Sequence, residues 1–325
     1  MLTEAEKFGI AWRAIPSTNI IELTYNGKKN YFMAQDPIQT SCIAHFATRN
    51  KSIGKGLLLD AGLAVTKGYA ILPSDPESYY ETVFNSLQKP LVVKPTNMSQ
   101  GRSVYLGITD LTSFTAAVKA CMETAFEEFA GVMVEETFTG NEYRILVTRE
   151  KIIGVIYRIP ANVTGDGHST IQELIAIKNS DPRRVDDPSE ALCAIRIDDH
   201  VLTHLKENGR SVTDVPKLDE VVYLRKNSNI STGGDSIDFT DQVHESVNKI
   251  ALQAIQAFPG LEFAGIDFMS KDIQAEQNQD TYRIIEVNQS PGFSIHDLPY
   301  KGESRHAARE FLYLLFPELS SVVLQ

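Results

Sequence analysis

Two apolar segments near the carboxyl end, each carrying acidic or amide side chains, constrain the fold of this chain more than any other feature. They span residues 263–269 and 282–288 and are separated by a polar stretch, a pattern that predicts an antiparallel β-hairpin. Side chains alternate across a strand, so Glu286 and Asn288 share one face and Asp267 can lie across from them. The sequence therefore predicts three polar side chains grouped on one face of a rigid hairpin.

These side chains have the chemistry of a magnesium site. Mg²⁺ prefers hard oxygen ligands and keeps water and substrate phosphates in its remaining positions, which makes Asp267, Glu286 and Asn288 candidate ligands. The alternative is that they are solvent-facing acids on an amphipathic hairpin. The turn at residues 289–293, placed directly after the carboxylates, favours the metal site.

Charge and cysteine content restrict the partners and the compartment. The 325-residue chain has a formal net charge of −11 and no Lys/Arg cluster, which disfavours a nucleic-acid partner. The first residues lack the basic and apolar regions of a signal peptide, and no apolar run reaches membrane-spanning length. Cys42, Cys121 and Cys193 are odd in number and far apart, which favours a reducing cytoplasm. A negatively charged substrate must therefore be met by a metal or by a few converging cations.

The first half of the chain mixes short strands with helices. Residues 1–44 predict strands around turns, with a tight hairpin at Asn26-Gly27. A helical pattern over 45–61 stops at Gly62. Strands are predicted at 91–95 and 103–108, and a helix capped by Thr109 or Asp110 follows, with its buried face at Leu111, Phe114, Val118, Met122 and Phe129.

The second half continues the mixture. The predicted elements are strands over 132–135, 142–147 and 151–159, a helix after a capping box at 169–172, a short helix between Asp198 and Gly209, a long helix over 241–258 and a C-terminal helix over 306–315. Strands and helices mixed throughout predict an α+β fold.

A lysine and a glycine loop are candidate phosphate ligands. Lys94 ends an apolar strand beside the loop 97–102, where backbone N–H groups and Gly101 allow an anion to approach closely. The loop matches neither the P-loop spacing nor a dinucleotide fingerprint. An ordinary hairpin connection is the alternative.

Acidic residues at neighbouring strand ends are candidate nucleoside ligands. Extended backbone beside Glu135 and Glu136 can pair with adenine, and Glu142 can accept hydrogen bonds from both ribose hydroxyls. The alternative is that all three are exposed strand-end charges.

Two arginines and a polar loop form the last group. Arg158 and Arg225 carry guanidinium forks that match phosphate and carboxylate oxygens. Residues 227–234 are dense in short polar side chains and end in Gly-Gly, which is also typical of a simple loop.

Together these segments resemble the ATP-grasp module at the C-terminal end of the bifunctional bacterial glutathione-synthesising enzymes, with cyanophycin synthetase a close second. The resemblance covers about residue 51 to the C-terminus. It rests on segments that occur in the same order, at residues 57–63, 92–95, 134–136, 140–144, 163–167, 227–234, 285–288 and 296–302.

The resemblance implies a role for each candidate residue. ATP would be held by Lys55 and Lys94 at its phosphates, by the loop at Gly101, by Glu142 at the ribose and by the strand of Glu135 and Glu136. Two Mg²⁺ ions, for which Mn²⁺ can substitute, would be held by Asp267, Glu286 and Asn288. Beside the γ-phosphate and the acyl phosphate would lie Arg158, Arg225, Asn227 and Asn229.

The implied architecture is an ATP-grasp fold in which two α/β lobes clasp ATP. Residues 1–44 would form a reduced N-terminal segment, 45–130 the N-terminal lobe with the phosphate loop, and 131–325 the C-terminal lobe with the metal and substrate site. Three departures stand out. Ser103 replaces a glycine that is usual in the loop, the γ-glutamylcysteine-forming module is absent from these residues, and 291–293 is nearer to cyanophycin synthetase whereas 298–302 is nearer to the glutathione enzymes.

The expected activity is ATP-dependent joining of a small-molecule carboxylate to an amine through an acyl phosphate. We favour γ-glutamylcysteine and glycine as the pair. Two alternatives stay open: a ligase for another amino-acid or peptide pair, and a non-catalytic ATP-binding module. The short segment before the ATP-grasp core also leads to the hypothesis that a second copy in a homodimer completes the substrate site.

Overall fold

The computed structural model describes residues 1–98, 103–124, 130–187 and 190–322. Its helices are α1 (Leu2–Lys7), α2 (Cys42–Arg49), α3 (Lys51–Asp60), α4 (Glu77–Ser86), α5 (Leu111–Glu123), α6 (Ile171–Asn179), α7 (Asp199–Glu207), α8 (Glu245–Gln256), α9 (Ser294–Asp297) and α10 (Ala307–Leu315). Its strands are β1 (Ala11–Ala14), β2 (Ile20–Tyr25), β3 (Lys28–Met33), β4 (Asp36–Pro37), β5 (Gly68–Ile71), β6 (Leu91–Pro95), β7 (Tyr105–Ile108), β8 (Val132–Glu136), β9 (Asn141–Thr148), β10 (Ile152–Ile159), β11 (Asn162–Thr164), β12 (Val221–Tyr223), β13 (Asp235–Asp238), β14 (Phe263–Ser270) and β15 (Tyr282–Asn288).

A five-stranded antiparallel sheet, in the order β13-β10-β9-β14-β15, forms the centre of the molecule. One face is apolar because alternate residues such as Ile145, Ile266 and Phe268 are fully buried in the cluster that includes α8. The other face is apolar at one end only, where Leu146 and Phe263 belong to the cluster formed with α10. The polar half of that second face is left for the candidate site.

The predicted hairpin is confirmed as β14 and β15. The two strands pair antiparallel with Asp267 opposite Glu286 and Gly265 opposite Asn288. A register irregularity follows Asp267, between Asp267 and Phe268. The three candidate metal ligands therefore lie on adjacent strands within one or two residue positions of each other.

A four-stranded sheet, in the order β5-β8-β6-β7, forms a second layer against α4 and α5. Phe114 and Val118 of α5 and Val93 and Val134 of the strands are fully buried in its core. Asp110 caps α5 by accepting a hydrogen bond from the Ser113 N–H, as predicted. β8 pairs with β5 and β6, so this sheet continues past residue 130, and the boundaries at 44 and 130 stay a prediction. Phe129, expected on the buried face of α5, lies outside the described residues.

The N-terminal strands β1 to β4 form a sheet of their own that packs on the C-terminal helix. Asn26 and Gly27 take positive φ values of 47° and 77°, which confirms the predicted tight turn. The ring of Phe32 meets that of Phe311 edge-on at 5.7 Å between centroids. Residues 1–44 therefore share a core with α10.

A small unit stands above the polar end of the five-stranded sheet. β11 and β12 pair with each other, and α6 and α7 pack with them around buried residues such as Val163, Leu174 and Leu205. As expected, α7 lies between Asp198, whose side chain caps it, and Gly209, which takes a φ of 69°.

The structure differs from the sequence predictions at three helices: one predicted helix is divided into two, and two others begin at a later residue. The helix predicted over 45–61 is broken at Asn50, whose side chain accepts from the N–H groups of Ser52 and Ile53 and so begins α3. The capping box is Thr170 with Glu173, one residue later than predicted, because Ser169 is engaged by Asp166. The helix predicted from 241 begins at Glu245, after a short 3₁₀ turn over Thr240–Gln242. Each difference arises where a polar side chain satisfies backbone N–H groups.

Replacing Phe114 by Ala tests the core of the four-stranded sheet. Phe114 is 0% exposed, so its removal is expected to leave a cavity and lower the free energy of unfolding by about 3–5 kcal/mol. The measurement is chemical denaturation followed by far-UV circular dichroism. Leu111→Ala in the same helix is the control, because Leu111 was expected on the buried face but is 37% exposed. Equal losses for the two variants would contradict this account of the core.

Candidate functional site

Two lysines meet one buried carboxylate at the edge of the four-stranded sheet. Lys94 Nζ lies 2.5 Å from Glu135 Oε2, and Lys55 forms an ion pair with the other carboxylate oxygen. Lys55 Nζ also donates to the carbonyl oxygen of Thr66 at 2.6 Å, and the Thr66 hydroxyl donates to Glu135 at 2.7 Å. The sequence expected Lys55, Lys94 and Glu135 near a nucleotide, and the structure brings these three side chains together.

The electrostatics of this cluster favour its charged state. Glu135 is 3% exposed, and burial opposes its ionisation, but the ammonium groups of Lys94 and Lys55 outweigh burial and lower its pKa to about 2. Burial likewise opposes the charged form of Lys94, yet attraction by Glu135, Glu286 and Asp267 raises its pKa above the ordinary value. Burial lowers the pKa of Lys55, although attraction by Glu135 acts in the opposite direction. The cluster therefore places two lysines beside one carboxylate, an arrangement that suits an anionic ligand.

Two predicted nucleotide ligands, Glu136 and Gly101, are not part of the cluster of Lys55, Glu135 and Lys94. Glu136 accepts a hydrogen bond from the Gln88 N–H at 3.0 Å and lies 3.5 Å from Lys67 Nζ, on the opposite side of β8 from Glu135. The structure therefore separates it from the Lys55–Glu135–Lys94 cluster. Gly101, the predicted centre of the phosphate loop, lies outside the described residues.

Arg158 is the hub of the polar face of the five-stranded sheet. It is 8% exposed, and its Nη1 lies 3.0 Å from Glu142 Oε1 and 3.1 Å from Asp267 Oδ1. Its Nη2 donates to Asn229 Oδ1 at 2.9 Å and its Nε to the Ser228 carbonyl oxygen at 3.3 Å. A planar fork with five donors can hold four partners in one plane. Arg158 thus joins the predicted ribose ligand, a predicted metal ligand and the 227–234 loop.

The carboxylates of the hairpin lie among cations. Arg144 Nε donates to Asp267 Oδ1 at 2.6 Å, and Lys51 Nζ lies 3.4 Å from Glu286 Oε2. Burial raises the pKa of Asp267 to about 6, although the nearby Arg144 and Arg158 act in the opposite direction. For Glu286, attraction by Lys51 and Lys94 overcomes burial and lowers the pKa to about 2. The Asn288 amide donates to Glu286 at 3.1 Å, so the three predicted ligands are neighbours.

This donor set fits Mg²⁺. Among the described residues no group of three or more His, Cys, Asp and Glu side chains could hold a metal, so the set is limited to two carboxylates and an amide oxygen. Such a short set suits an ion that keeps water and phosphate oxygens in its remaining positions. A metal would also replace part of the positive charge that the arginines now supply to Asp267.

Arg225, Asn227 and Asn229 lie along the loop that faces Arg158. Arg225 is 8% exposed and its Nη2 donates to Asp198 Oδ2 at 2.5 Å. Asn229 is bound to Arg158, whereas Asn227 is exposed and accepts from the Thr232 hydroxyl at 3.4 Å. The structure brings Asn229 to the polar face and leaves Asn227 at the rim of the loop.

Three residues of the polar face were not singled out from the sequence for any role there. They are Arg144, which binds Asp267, Lys51, which lies beside Glu286, and Ser228, whose hydroxyl donates to Glu142. Arg144 could have been found by strand alternation, because it follows Glu142 by two positions and so shares its face. Lys51 and Ser228 carry no such local signal.

Known proteins resemble the chain over almost its whole length. No protein-family profile matches it. It is 37% identical over 320 residues to the glutathione biosynthesis bifunctional protein GshAB of Clostridium perfringens, covering 97% of this chain and 40% of that protein. GshAB of Enterococcus faecalis is 39% identical over 274 residues, 83% of this chain and 35% of that protein. Cyanophycin synthetase of Crocosphaera subtropica is 33% identical over 323 residues, 98% of this chain and 36% of that protein.

Solved structures confirm the fold. A bifunctional glutathione synthetase from Pasteurella multocida superposes with a TM-score of 0.73 at 30% identity, over 98% of this chain and 43% of that chain. A D-alanine–D-alanine ligase from Bacillus anthracis gives 0.50 at 16% identity, over 86% of this chain and 69% of that chain, a likeness of fold alone. The chain therefore has the predicted α+β ATP-grasp fold and is related to the ATP-grasp ligases. The glutathione-synthesising proteins named above are relatives, and the chain spans 40% or less of the length of those compared by sequence.

No helix in the described parts of the chain combines the length and the apolar character needed to cross a membrane.

Glu135→Gln tests the charge balance of the lysine cluster. The variant leaves two buried ammonium groups without their carboxylate, and the free energy of unfolding at pH 7 is expected to fall by roughly 3–5 kcal/mol. The folded-state pKa of Glu135 is about 2, below its ordinary value of 4.5, so its contribution is complete above about pH 4.5 and is lost as the pH falls toward 2. Denaturant unfolding across this range should show wild type and variant converging in acid. Glu136→Gln is the control, and a wild-type advantage that stays constant from pH 7 to pH 3 would refute the assignment.

Proposed function

We propose that the chain is an ATP- and Mg²⁺-dependent carboxylate–amine ligase of the glutathione synthetase type, joining γ-glutamylcysteine to glycine. One observation carries the proposal: the acidic hairpin residues Asp267 and Glu286 lie within reach of four buried or half-buried cations from other elements. Carboxylates that hold a metal, next to cations that hold phosphate, are what transfer of a phosphoryl group requires. The resemblance to GshAB supports the choice of substrates.

The proposed reaction has two steps, formation of an acyl phosphate and formation of the amide. A carboxylate oxygen of the first substrate attacks the γ-phosphorus of ATP, which breaks the bond to ADP and forms an acyl phosphate. The neutral amine then attacks the acyl carbon, phosphate leaves with its bonding electrons, and the nitrogen releases one proton to solvent or to the departing phosphate. Bound magnesium would neutralise charge on the transferring phosphoryl group.

The residues of the chain would position ATP and the acyl donor and neutralise the charge of their phosphate groups. Lys55 and Lys94 would bind the phosphates of ATP, with the loop at Gly101 as a further phosphate ligand, and the backbone of β8 at Glu135 and Glu136 would pair with adenine. Glu142 receives the ribose hydroxyls. Asp267, Glu286 and Asn288 hold the metal, and Arg158, Arg225, Asn227 and Asn229 stabilise the γ-phosphate and the acyl phosphate. Because Arg158 already touches Glu142, Asp267 and Asn229, the two ends of the nucleotide site are aligned before substrate binds.

Two other functions remain candidates. The similarity to cyanophycin synthetase over 98% of the chain supports a ligase that acts on a different amino-acid or peptide pair. The other candidate is a non-catalytic ATP-binding module, which the neighbouring positions of Asp267, Glu286 and Asn288 disfavour, because a module that only binds ATP does not need a full set of metal ligands. The domain boundaries at 44 and 130 and a cytoplasmic location, supported by three free cysteines, complete the proposal.

Asp267→Asn tests the metal assignment. The variant keeps the shape of the side chain but weakens its hold on a divalent cation, and kcat is expected to fall by about 100-fold or more. The assay is amine-dependent phosphate release from ATP, first with pooled and then with individual carboxylates and amines. Asp280→Asn, in the exposed connection between β14 and β15, is the matched control and should retain activity. Wild-type protein that releases no phosphate with any carboxylate and amine would favour the binding module.

The homodimer proposal has its own test. Ile38, Ile43 and Phe46 are each more than half exposed and lie close together in sequence, a feature that favours a contact surface on this side of the molecule. Size-exclusion chromatography with light scattering is expected to give twice the chain mass of 36.1 kDa at assay concentration. A monomer that retains full activity at that concentration would rule out a second copy in the substrate site.

A further inference from the structure

A cavity of about 600 Å³ opens between the polar face of the five-stranded sheet and the unit built from α7 and β12. The sheet contributes Glu142 and Arg158 to its wall, the loop after β12 contributes Arg225, and the upper unit contributes Arg210 and Tyr223. A space of this size accommodates a dipeptide-sized molecule.

The inner wall of this cavity coincides with the proposed reaction centre. Arg158 lines the cavity and contacts Asp267 at 3.1 Å, so one guanidinium touches both the cavity and a proposed metal ligand. Arg225 also lines the cavity, and its buried Nε has no hydrogen-bond partner among the described residues. A buried donor of this kind favours a ligand that brings an acceptor. A carboxylate at Arg225 and Arg158 would lie beside a phosphate held at Asp267.

Arg210 is a charged residue of the outer wall, which it shares with the 49% exposed Tyr223. Glu220 is not itself a lining residue, but it forms a salt bridge with Arg210, and both side chains remain about one-third exposed. A cation and an anion side by side complement an amino-acid zwitterion, whose carboxylate would meet Arg210 and whose ammonium group would meet Glu220.

We propose that this cavity holds the acyl donor of the ligase, with the reactive carboxylate at Arg225 and Arg158 and a free α-amino-acid end at Arg210 and Glu220. The assignment rests on the proposed function and deepens it, because it selects donors that carry a zwitterion remote from the reacting carboxylate. Arg210 and Glu220 are specificity-determining residues, and they take no part in the chemistry.

The proposed nucleotide site overlaps the cavity only at its inner end, where Glu142 and Arg158 form the wall. The lining residues of the cavity lie between Gly140 and Met269, whereas Lys55, Lys94 and Glu135 stand on the four-stranded sheet and its neighbouring helix. ATP phosphates bound at those lysines would leave the wall of Arg210 and Tyr223 for a second molecule.

A comparison of two ligands and two variants tests the proposal. The ligands are γ-glutamylcysteine and 4-aminobutanoyl-cysteine, which lacks only the α-carboxylate, and the readout is Kd by calorimetry with Mg²⁺ and a non-hydrolysable ATP analogue. Wild type is expected to bind the first about tenfold more tightly, the value for one charge-assisted hydrogen bond at a partly exposed site. Arg210→Gln should bind the two equally. Glu220→Gln breaks the same ion pair but keeps Arg210, so it should weaken both ligands and preserve their ratio.

Each other result has a defined meaning. Equal binding of the two ligands by wild type, failure of γ-glutamylcysteine to bind, or an unchanged ratio in Arg210→Gln would overturn the cavity assignment. A change in the affinity of the ATP analogue in Arg210→Gln, with no change in the ratio, would assign the cavity to the nucleotide. Phosphate release by wild type is measured separately, so the ligase activity can stand when the cavity assignment fails, and binding that depends on Arg210 can stand when no release is seen.

Discussion

The contacts of Arg158 are the interaction on which the candidate site depends. Asp267 and Glu142 come from different strands and contact the same guanidinium group. Without that shared cation, the repulsion between two neighbouring carboxylates would lower the stability of the folded state. Arg158 meets both from β10 and also holds Asn229, so strand pairing and side-chain charge reinforce each other. The polar half of the sheet is therefore preorganised, because folding itself brings these charged side chains together before any ligand binds.

A second set of electrostatic contacts links the four-stranded sheet to the five-stranded sheet. Lys51 donates to the Met98 carbonyl oxygen at 2.5 Å, near the end of β6, and lies 3.4 Å from Glu286 on β15. Lys94, on β6 itself, is attracted by Glu286 and Asp267 across the same space. Cations supplied by one layer thus face carboxylates supplied by the other. An anionic nucleotide with its metal would insert between them and exchange these direct attractions for its own.

The relatives align with most of the chain and differ in what they are named for. Glutathione-synthesising proteins and cyanophycin synthetase both align over most of the chain, so the alignment alone favours a class of chemistry more than a substrate. Substrate choice would then lie in walls built outside the sheet, such as Arg210 and Tyr223 above the cavity. These side chains come from the stretch of chain between β10 and β13.

The sequence by itself determined the hairpin and the alternation of its side chains, because those depend on neighbouring residues and on a period of two. It also determined the caps of α5 and α7, which are local hydrogen bonds. It could not determine that Glu135 would be buried between Lys55 and Lys94, because Lys55 and Glu135 are 80 residues apart in the chain. Nor could it determine that Arg144 would bind Asp267, which lies 123 residues further along. Only the tertiary structure decided these contacts, because the energy of a buried charge depends on partners that chain folding brings from a distance.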